Sequence, residues 1–149
     1  MLLDRYLPRI EFDSYEDFKK NYTVNTPDDF NFAYDIVDEW AKEDKEKKAL
    51  VWCDDNGGDL TLTFEEIRKL SNKAANYFKS IGLKKGSVAL LILRQRWEYW
   101  VIVTALMKLG VIFIPATLQL TKKDIAYRAN AAGVEMIICI DDDYVVIKV

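Results

Sequence analysis

Residues 88–115 constrain the fold most, because a strand pattern, a helix pattern and a second strand pattern follow one another there. Val88 to Leu93 (VALLIL) is a short apolar run typical of a strand buried on both faces. Trp97 to Leu109 carries apolar residues on nearly every side of a helical wheel, which predicts a buried helix that Gly110 can end. Val111 to Pro115 (VIFIP) predicts a second buried strand. About seventeen residues separate the two strands, a spacing that suits a right-handed helical crossover between parallel strands.

The flanking segments supply further elements of an α/β domain. Thr63 with Glu66, and Thr121 with Asp124, have the spacing of capped helix starts. Three other runs predict strands. Ala49 to Cys53 and Leu60 to Phe64 flank Asn56-Gly57-Gly58 as a hairpin, and Glu135 to Ile140 is a third buried strand. Tyr144 to Val149 also has strand propensity.

The N-terminal third predicts a helical arm. Ser14 with Asp17 starts a short surface helix. Thr26-Pro27 is a start signal for an amphipathic helix over about 29–43, whose apolar face is Ala33, Ile36, Val37, Trp40 and Ala41. The charge run at 42–48 favours a solvated linker over a binding tract. We therefore predict a helical arm over 1–45 and an α/β subdomain over 46–149, with a largely parallel sheet of βαβ units and one hairpin.

Composition excludes several function classes. A net charge of −3 argues against nucleic-acid binding, and the sequence has no basic amphipathic helix for a membrane surface. No histidine is present, so histidine bases and ligands are excluded for this chain alone. Cys53 and Cys139 lie in apolar runs, which favours buried free thiols over a disulfide. The N-terminus is charged from Asp4 onward and does not resemble a signal peptide, so we predict a cytoplasmic location.

Ligands of open α/β sheets bind beyond the carboxyl ends of the parallel strands. Arg94-Gln95-Arg96 is expected at that edge. The arginines could meet a phosphate or acidic partner, although solvation or pairing with Glu98 and the Asp141 cluster is favoured. The loop from Pro115 to Gln119 could offer donors to a ligand, while its pattern favours a cap for the next helix.

Two aspartate clusters could suggest metal sites, but neither has a ligand spacing that defines one. Asp54, Asp55 and Asp59 lack the EF-hand spacing and favour a polar turn. Asp141 to Asp143 could hold magnesium, and a solvated loop is favoured. No glycine-rich phosphate loop, nucleophile elbow or zinc spacing occurs in the sequence. From these patterns we assign no catalytic and no metal-binding residue.

Several segments resemble adenylate-forming enzymes, the acyl-CoA synthetase and AMP-binding superfamily. Leu62 to Leu93 is similar to an early segment of that family, and Pro27 to Trp40 is similar to its N-terminal arm. Arg94 to Ile138 resembles the medium-chain acyl-CoA synthetase branch through three features: a Trp-Glu-x-Trp helix, a proline-threonine-x-glutamine loop and an Asp-Ile-x-Tyr-Arg helix. Ser87 stands where the family usually has aspartate, a difference expected at the surface. The likeness covers nearly all of the chain but about the first quarter of a family member.

The resemblance implies an enzyme that uses ATP and Mg²⁺ to activate a carboxylic (fatty) acid and then transfers the acyl group to coenzyme A. It implies that Gln119, at the position of the loop glutamine, helps to bind coenzyme A. The family's phosphate loop and other nucleotide-binding motifs are not found in this sequence. We therefore expect an inactive N-terminal portion whose partner is the remainder of the synthetase chain. The alternative is a stand-alone module that self-associates or binds a partner chain through an exposed sheet edge.

Overall fold

The computed structural model describes residues 2–140. A short 3₁₀ turn lies at Leu2–Arg5. Further along the chain, a π-helical segment at Ala33–Asp38 continues directly into an α-helix. The helices are α1 (Tyr15–Asn21), α2 (Glu39–Glu43), α3 (Phe64–Ser80), α4 (Trp97–Leu109) and α5 (Lys122–Ala132), and the strands are β1 (Lys48–Cys53), β2 (Asp59–Thr63), β3 (Val88–Ile92), β4 (Ile112–Pro115) and β5 (Met136–Cys139). The strand predicted at 144–149 lies outside the described residues.

The main sheet confirms the predicted parallel βαβ unit. Its strand order is β4-β3-β5, and both strand pairs are parallel. Leu90 at the centre of β3 lies opposite Ile114 of β4 and Ile137 of β5, and it is fully buried. The prediction of buried strands at 111–115 and 135–140 is wrong for β4 and β5, neither of which has a fully buried residue. Ile112 is 57% exposed, because each outer strand has one strand neighbour within residues 2–140.

One face of this sheet carries the main hydrophobic core. Helices α3 and α4 cover it, and Phe78 and Leu106 pack with Ala89 and Leu91 of the central strand. The burial of α4 on most sides is as its sequence predicts, and Gly110 ends it with a positive φ of 69°. Both predicted capping boxes are present, so the starts of α3 and α5 are set by local side-chain chemistry.

The predicted hairpin forms a separate two-stranded antiparallel sheet from β1 and β2. Asp54 closes its turn, with Oδ1 accepting from the backbone N–H groups of Asn56 at 2.9 Å and Gly58 at 2.7 Å. The polar-turn prediction is therefore confirmed. Leu62 of β2 is buried with Ile67 and Val101, which fixes the hairpin against α3 and α4.

The N-terminal arm begins its long helical segment later than predicted. Asn31, rather than Thr26, caps it, since Asn31 Oδ1 accepts from the Ala33 N–H at 3.0 Å and Asp35 Oδ2 accepts from the Asn31 N–H at 2.6 Å. The predicted apolar face is correct, because Ala33, Val37 and Ala41 are buried. The division of the chain near residue 45 stays a prediction.

A buried ion pair joins the arm to α4. Lys108 Nζ donates to Asp38 Oδ1 at 2.8 Å and to Asn72 Oδ1 at 2.7 Å, and the lysine side chain is 1% exposed. Its pKa is lowered, because burial penalises the charged ammonium more than the Asp38 carboxylate favours it. The apolar pattern of α4 gave no sign of this role.

Two burial predictions are wrong. Cys53 and Cys139 are free as predicted, but both are exposed rather than buried, since each ends a strand at the margin of its sheet. Ser87 is 1% exposed rather than on the surface. Its hydroxyl donates to Glu135 Oε2 at 2.9 Å and joins the start of β3 to the residue before β5.

Candidate functional site

The carboxyl ends of the parallel strands form one edge of the sheet, and a groove of about 800 Å³ lies there. The loop after β3 and the start of α4, residues 93–98, form its floor. Residues 117–119, after β4, form one wall, and the hairpin residues Trp52, Asp54 and Asn56 form the other. We call this space the carboxyl-edge groove. It brings together two of the three segments predicted at this edge, Arg94-Gln95-Arg96 and the loop that ends at Gln119. The third, Asp141 to Asp143, lies outside the described residues.

Gln119 lies in the wall of the groove, and its side chain is exposed. The Gln119 backbone N–H donates to Thr117 Oγ1 at 3.3 Å, which shapes the loop locally. Thr121, not Thr117, caps the following helix. The polar groups of 117–119 are thus presented beside the groove, where an amide can both donate to and accept from a ligand.

The two predicted arginines also line the groove, and both are exposed. Arg96 pairs with Glu98, with Nη2 at 3.3 Å from Oε1, so the favoured ion-pair interpretation holds for this residue. Arg96 also precedes α4 without a side-chain cap. The floor therefore combines positive side chains with the start of a helix, and Glu98 and Asp54 bring negative charge to the same space.

Sequence reasoning missed the hairpin wall. Trp52 Nε1 donates to the backbone carbonyl of Gln95 at 2.8 Å, which joins the small sheet to the loop after β3. The alternation of β1 carried a partial signal, because Trp52 pairs in register with Leu60 and Leu50 with Leu62. That pattern indicates an inward side chain. It does not identify a loop 43 residues away as its partner.

The groove carries several hydrogen-bonding groups. Gln119 offers an amide and Thr117 a hydroxyl, and the arginines can meet phosphate. Within residues 2–140, no group of three or more aspartate, glutamate, cysteine or histidine side chains is placed to hold a metal ion.

The parallel order β4-β3-β5, in which the connection from β4 crosses β3 to reach β5, and the groove at the carboxyl edge define an open α/β unit, a class of fold that binds ligands at that edge. Residues 37–148 match the AMP-binding enzyme family. The chain belongs to that family.

Curated relatives agree with this assignment. The chain is 37% identical over 136 residues to acyl-coenzyme A synthetase ACSM3, mitochondrial, of Mus musculus, which covers 87% of the chain and 23% of the relative. It is 40% identical over 121 residues to ACSM5, mitochondrial, of Rattus norvegicus, which covers 77% and 21%. The chain thus spans less than a quarter of the length of these relatives.

Solved structures share the fold. The N-terminal subdomain of Klebsiella oxytoca NpsA superposes with a TM-score of 0.66 at 23% identity, covering 74% of this chain and 28% of that one. A Mycobacterium tuberculosis fatty acyl CoA synthetase gives 0.67 at 19% identity, covering 73% and 21%. These likenesses confirm the α/β fold class.

The predicted cytoplasmic location is wrong, because the curated relatives are mitochondrial synthetases. The charge pattern and the short apolar runs behind that prediction do not distinguish the cytoplasm from the interior of a mitochondrion. Among residues 2–140, no helix combines the length and apolar character needed to cross a membrane.

Proposed function

We propose that the chain is the N-terminal portion of an ATP-dependent acyl-CoA synthetase. The complete enzyme would convert a carboxylic (fatty) acid, ATP and coenzyme A into acyl-CoA, AMP and pyrophosphate. The observation that carries this proposal is the position of Gln119 in a groove at the carboxyl edge of a parallel sheet. Family membership and the acyl-coenzyme A synthetase relatives support the same reaction.

In this proposal the carboxyl-edge groove serves the coenzyme A side of the site. When bound, coenzyme A supplies the thiol that accepts the acyl group. The chain's own contribution is to bind and orient: the Gln119 amide would pair with a polar group of the cofactor. The parallel ladder of β3 and β4 brings the starts of the wall and floor loops side by side, since Ala116 N–H also donates to Leu91 O at 2.8 Å.

ATP and Mg²⁺ are proposed for the complete enzyme, with their binding groups in the remainder of the chain. The family's phosphate loop is absent from this sequence. Activation of the acid requires groups that stabilise the charge developing on the transferred phosphoryl oxygens, such as a clamp of cations and backbone N–H donors. For that reason the 149-residue chain is proposed to be inactive alone.

Gln119→Ala in the complete synthetase tests the role of the groove. Loss of the amide should raise the KM for coenzyme A about three- to tenfold, the value of one hydrogen bond, and leave the KM for ATP unchanged. Asn130→Ala is the matched control: it removes another exposed amide, on α5 and outside the groove. Equal effects of Gln119→Ala on both substrates would remove Gln119 from the coenzyme A site.

The second candidate is a stand-alone module that self-associates or binds a partner chain. The outer edges of β4 and β5 have no strand partner within residues 2–140, and Ile112 at the start of β4 is 57% exposed. Such edges favour pairing with another chain. Sedimentation velocity over a range of concentrations tests it, and a monomer throughout would argue against self-association.

A further inference from the structure

We propose that Trp52 is a positioning residue of the carboxyl-edge groove: its indole N–H holds the loop after β3 against the hairpin and so fixes the groove floor relative to Gln119. The inference rests on the proposed function, because the readout is the binding of coenzyme A in that groove. It adds a residue that lies far from Gln119 in sequence and on the other sheet.

The contact itself is short and joins two separate parts of the fold. Trp52 Nε1 lies 2.8 Å from the carbonyl oxygen of Gln95, which is the middle residue of the Arg94-Gln95-Arg96 segment. Trp52 belongs to the two-stranded sheet, whereas Gln95 follows the central strand of the three-stranded sheet. The bond therefore sets the position of one sheet's loop relative to the other sheet.

The hairpin provides a firm base for this donor. Trp52 pairs with Leu60 in the antiparallel ladder, and Asp54 closes the adjoining turn by accepting from two backbone N–H groups. The indole is half-buried, and the strand that carries it is fixed by the ladder and the closed turn. A donor held in this way restricts its acceptor more than a mobile side chain would.

Two backbone hydrogen bonds of the loop that receives the bond are local. Arg96 N–H donates to Arg94 O at 2.7 Å, and Tyr99 N–H donates to Arg96 O at 3.2 Å. They define the shape of the loop, and no side chain caps α4 at Arg96. Leu62 of the hairpin packs with Val101 of α4, so the hairpin and α4 are already held together. We infer that the Trp52 bond adds a direct link between the hairpin and the loop itself.

The consequence concerns the groove, since Trp52 and residues 93–98 both line it opposite residues 117–119. Without the indole N–H, water can reach the exposed Gln95 carbonyl, so the fold should persist while the loop gains freedom. A ligand that bridges Gln119 and the loop then has to restrict that freedom on binding.

The test uses Trp52→Phe in the complete synthetase, which keeps an aromatic ring and removes the N–H. The KM for coenzyme A should rise about three- to tenfold, as for one lost hydrogen bond, while carboxylate-dependent ATP–pyrophosphate exchange keeps its rate. Trp40→Phe is the control, because Trp40 lies on α2 and lines neither this groove nor the adjoining cavity beside Trp52. A merely structural role would lower both activities together.

Three outcomes separate the inference from the proposed function. If Gln119→Ala raises the KM for coenzyme A and Trp52→Phe does not, the role of Trp52 is overturned and the proposed function stands. If neither variant changes that KM, the role of Trp52 and the coenzyme A role of the groove are both overturned. If Trp52→Phe does not fold, replacement of Trp52 by 3-benzothienylalanine decides, because sulfur replaces the N–H in a ring system of nearly the same shape. An unchanged KM in that variant overturns the inference.

Discussion

Replacement of Lys108 by methionine tests how the arm is held against the α/β layer. Methionine keeps the unbranched apolar stem of lysine and removes the ammonium group. In the folded chain this leaves the Asp38 carboxylate, whose side chain is 12% exposed, without the cation 2.8 Å away. Asn72 Oδ1 also loses its donor.

The magnitude follows from this geometry. Breaking a buried pair by removing one partner costs about 3–5 kcal/mol, because a desolvated charge remains uncompensated. Removing both charges is much less costly, so the double variant Asp38→Leu with Lys108→Met should lie within about 1 kcal/mol of the parent chain. Lys73→Met, at an exposed position of α3, should change stability by less than about 0.5 kcal/mol.

Urea unfolding of the four proteins, followed by circular dichroism, gives these differences as free energies of unfolding. Comparison of the double variant with Lys108→Met gives the effect of removing the unpaired Asp38 carboxylate. A cost below about 1 kcal/mol for Lys108→Met would refute the assignment of a buried pair. A double variant no more stable than the single one would refute the claim that the unpaired carboxylate is the source of the loss.

Two further substitutions test local electrostatics. Ser87→Asp, which introduces the acid usual in the family, should lower the thermal midpoint of unfolding, because Glu135 Oε2 lies 2.9 Å from the Ser87 hydroxyl. Adding Glu135→Gln should restore that midpoint. A midpoint that stays low in the double variant would argue against charge repulsion. Glu65 has its pKa lowered from 4.5 to about 2, chiefly because Arg68 donates to its carboxylate. A lowered pKa gives stability that is present above pH 4.5 and lost as pH falls toward 2, so the urea midpoints of Glu65→Gln and the parent should converge over that interval. A gap that does not change with pH would contradict this.

Local chemistry explains the elements that sequence could predict. The capping boxes at Thr63 and Thr121 set helix starts through residues three positions apart, and Gly110 ends α4 because it tolerates a positive φ. The apolar run at Val88–Ile92 required a buried central strand. These signals need no knowledge of the rest of the fold.

The features that sequence missed depend on packing between distant segments. Lys108 reads as a helix-end cation, and its partner Asp38 is 70 positions away. Thr26 was the predicted cap, whereas the structure uses Asn31, whose Nδ2 donates to Met107 O at 2.8 Å and so places Asn31 against α4. For the groove, the positions of the loops after β3 and β4 could be predicted from strand topology. The position of the wall at Trp52 could not, because it depends on where the hairpin packs against the helices.

Carboxylate-dependent ATP–pyrophosphate exchange by the purified 149-residue chain tests whether the chain builds only the coenzyme A side of a synthetase site, with the groups that act on the triphosphate in the remainder of the enzyme. No exchange above a protein-free blank is expected. Exchange that depends on both the chain and the acid would contradict that expectation.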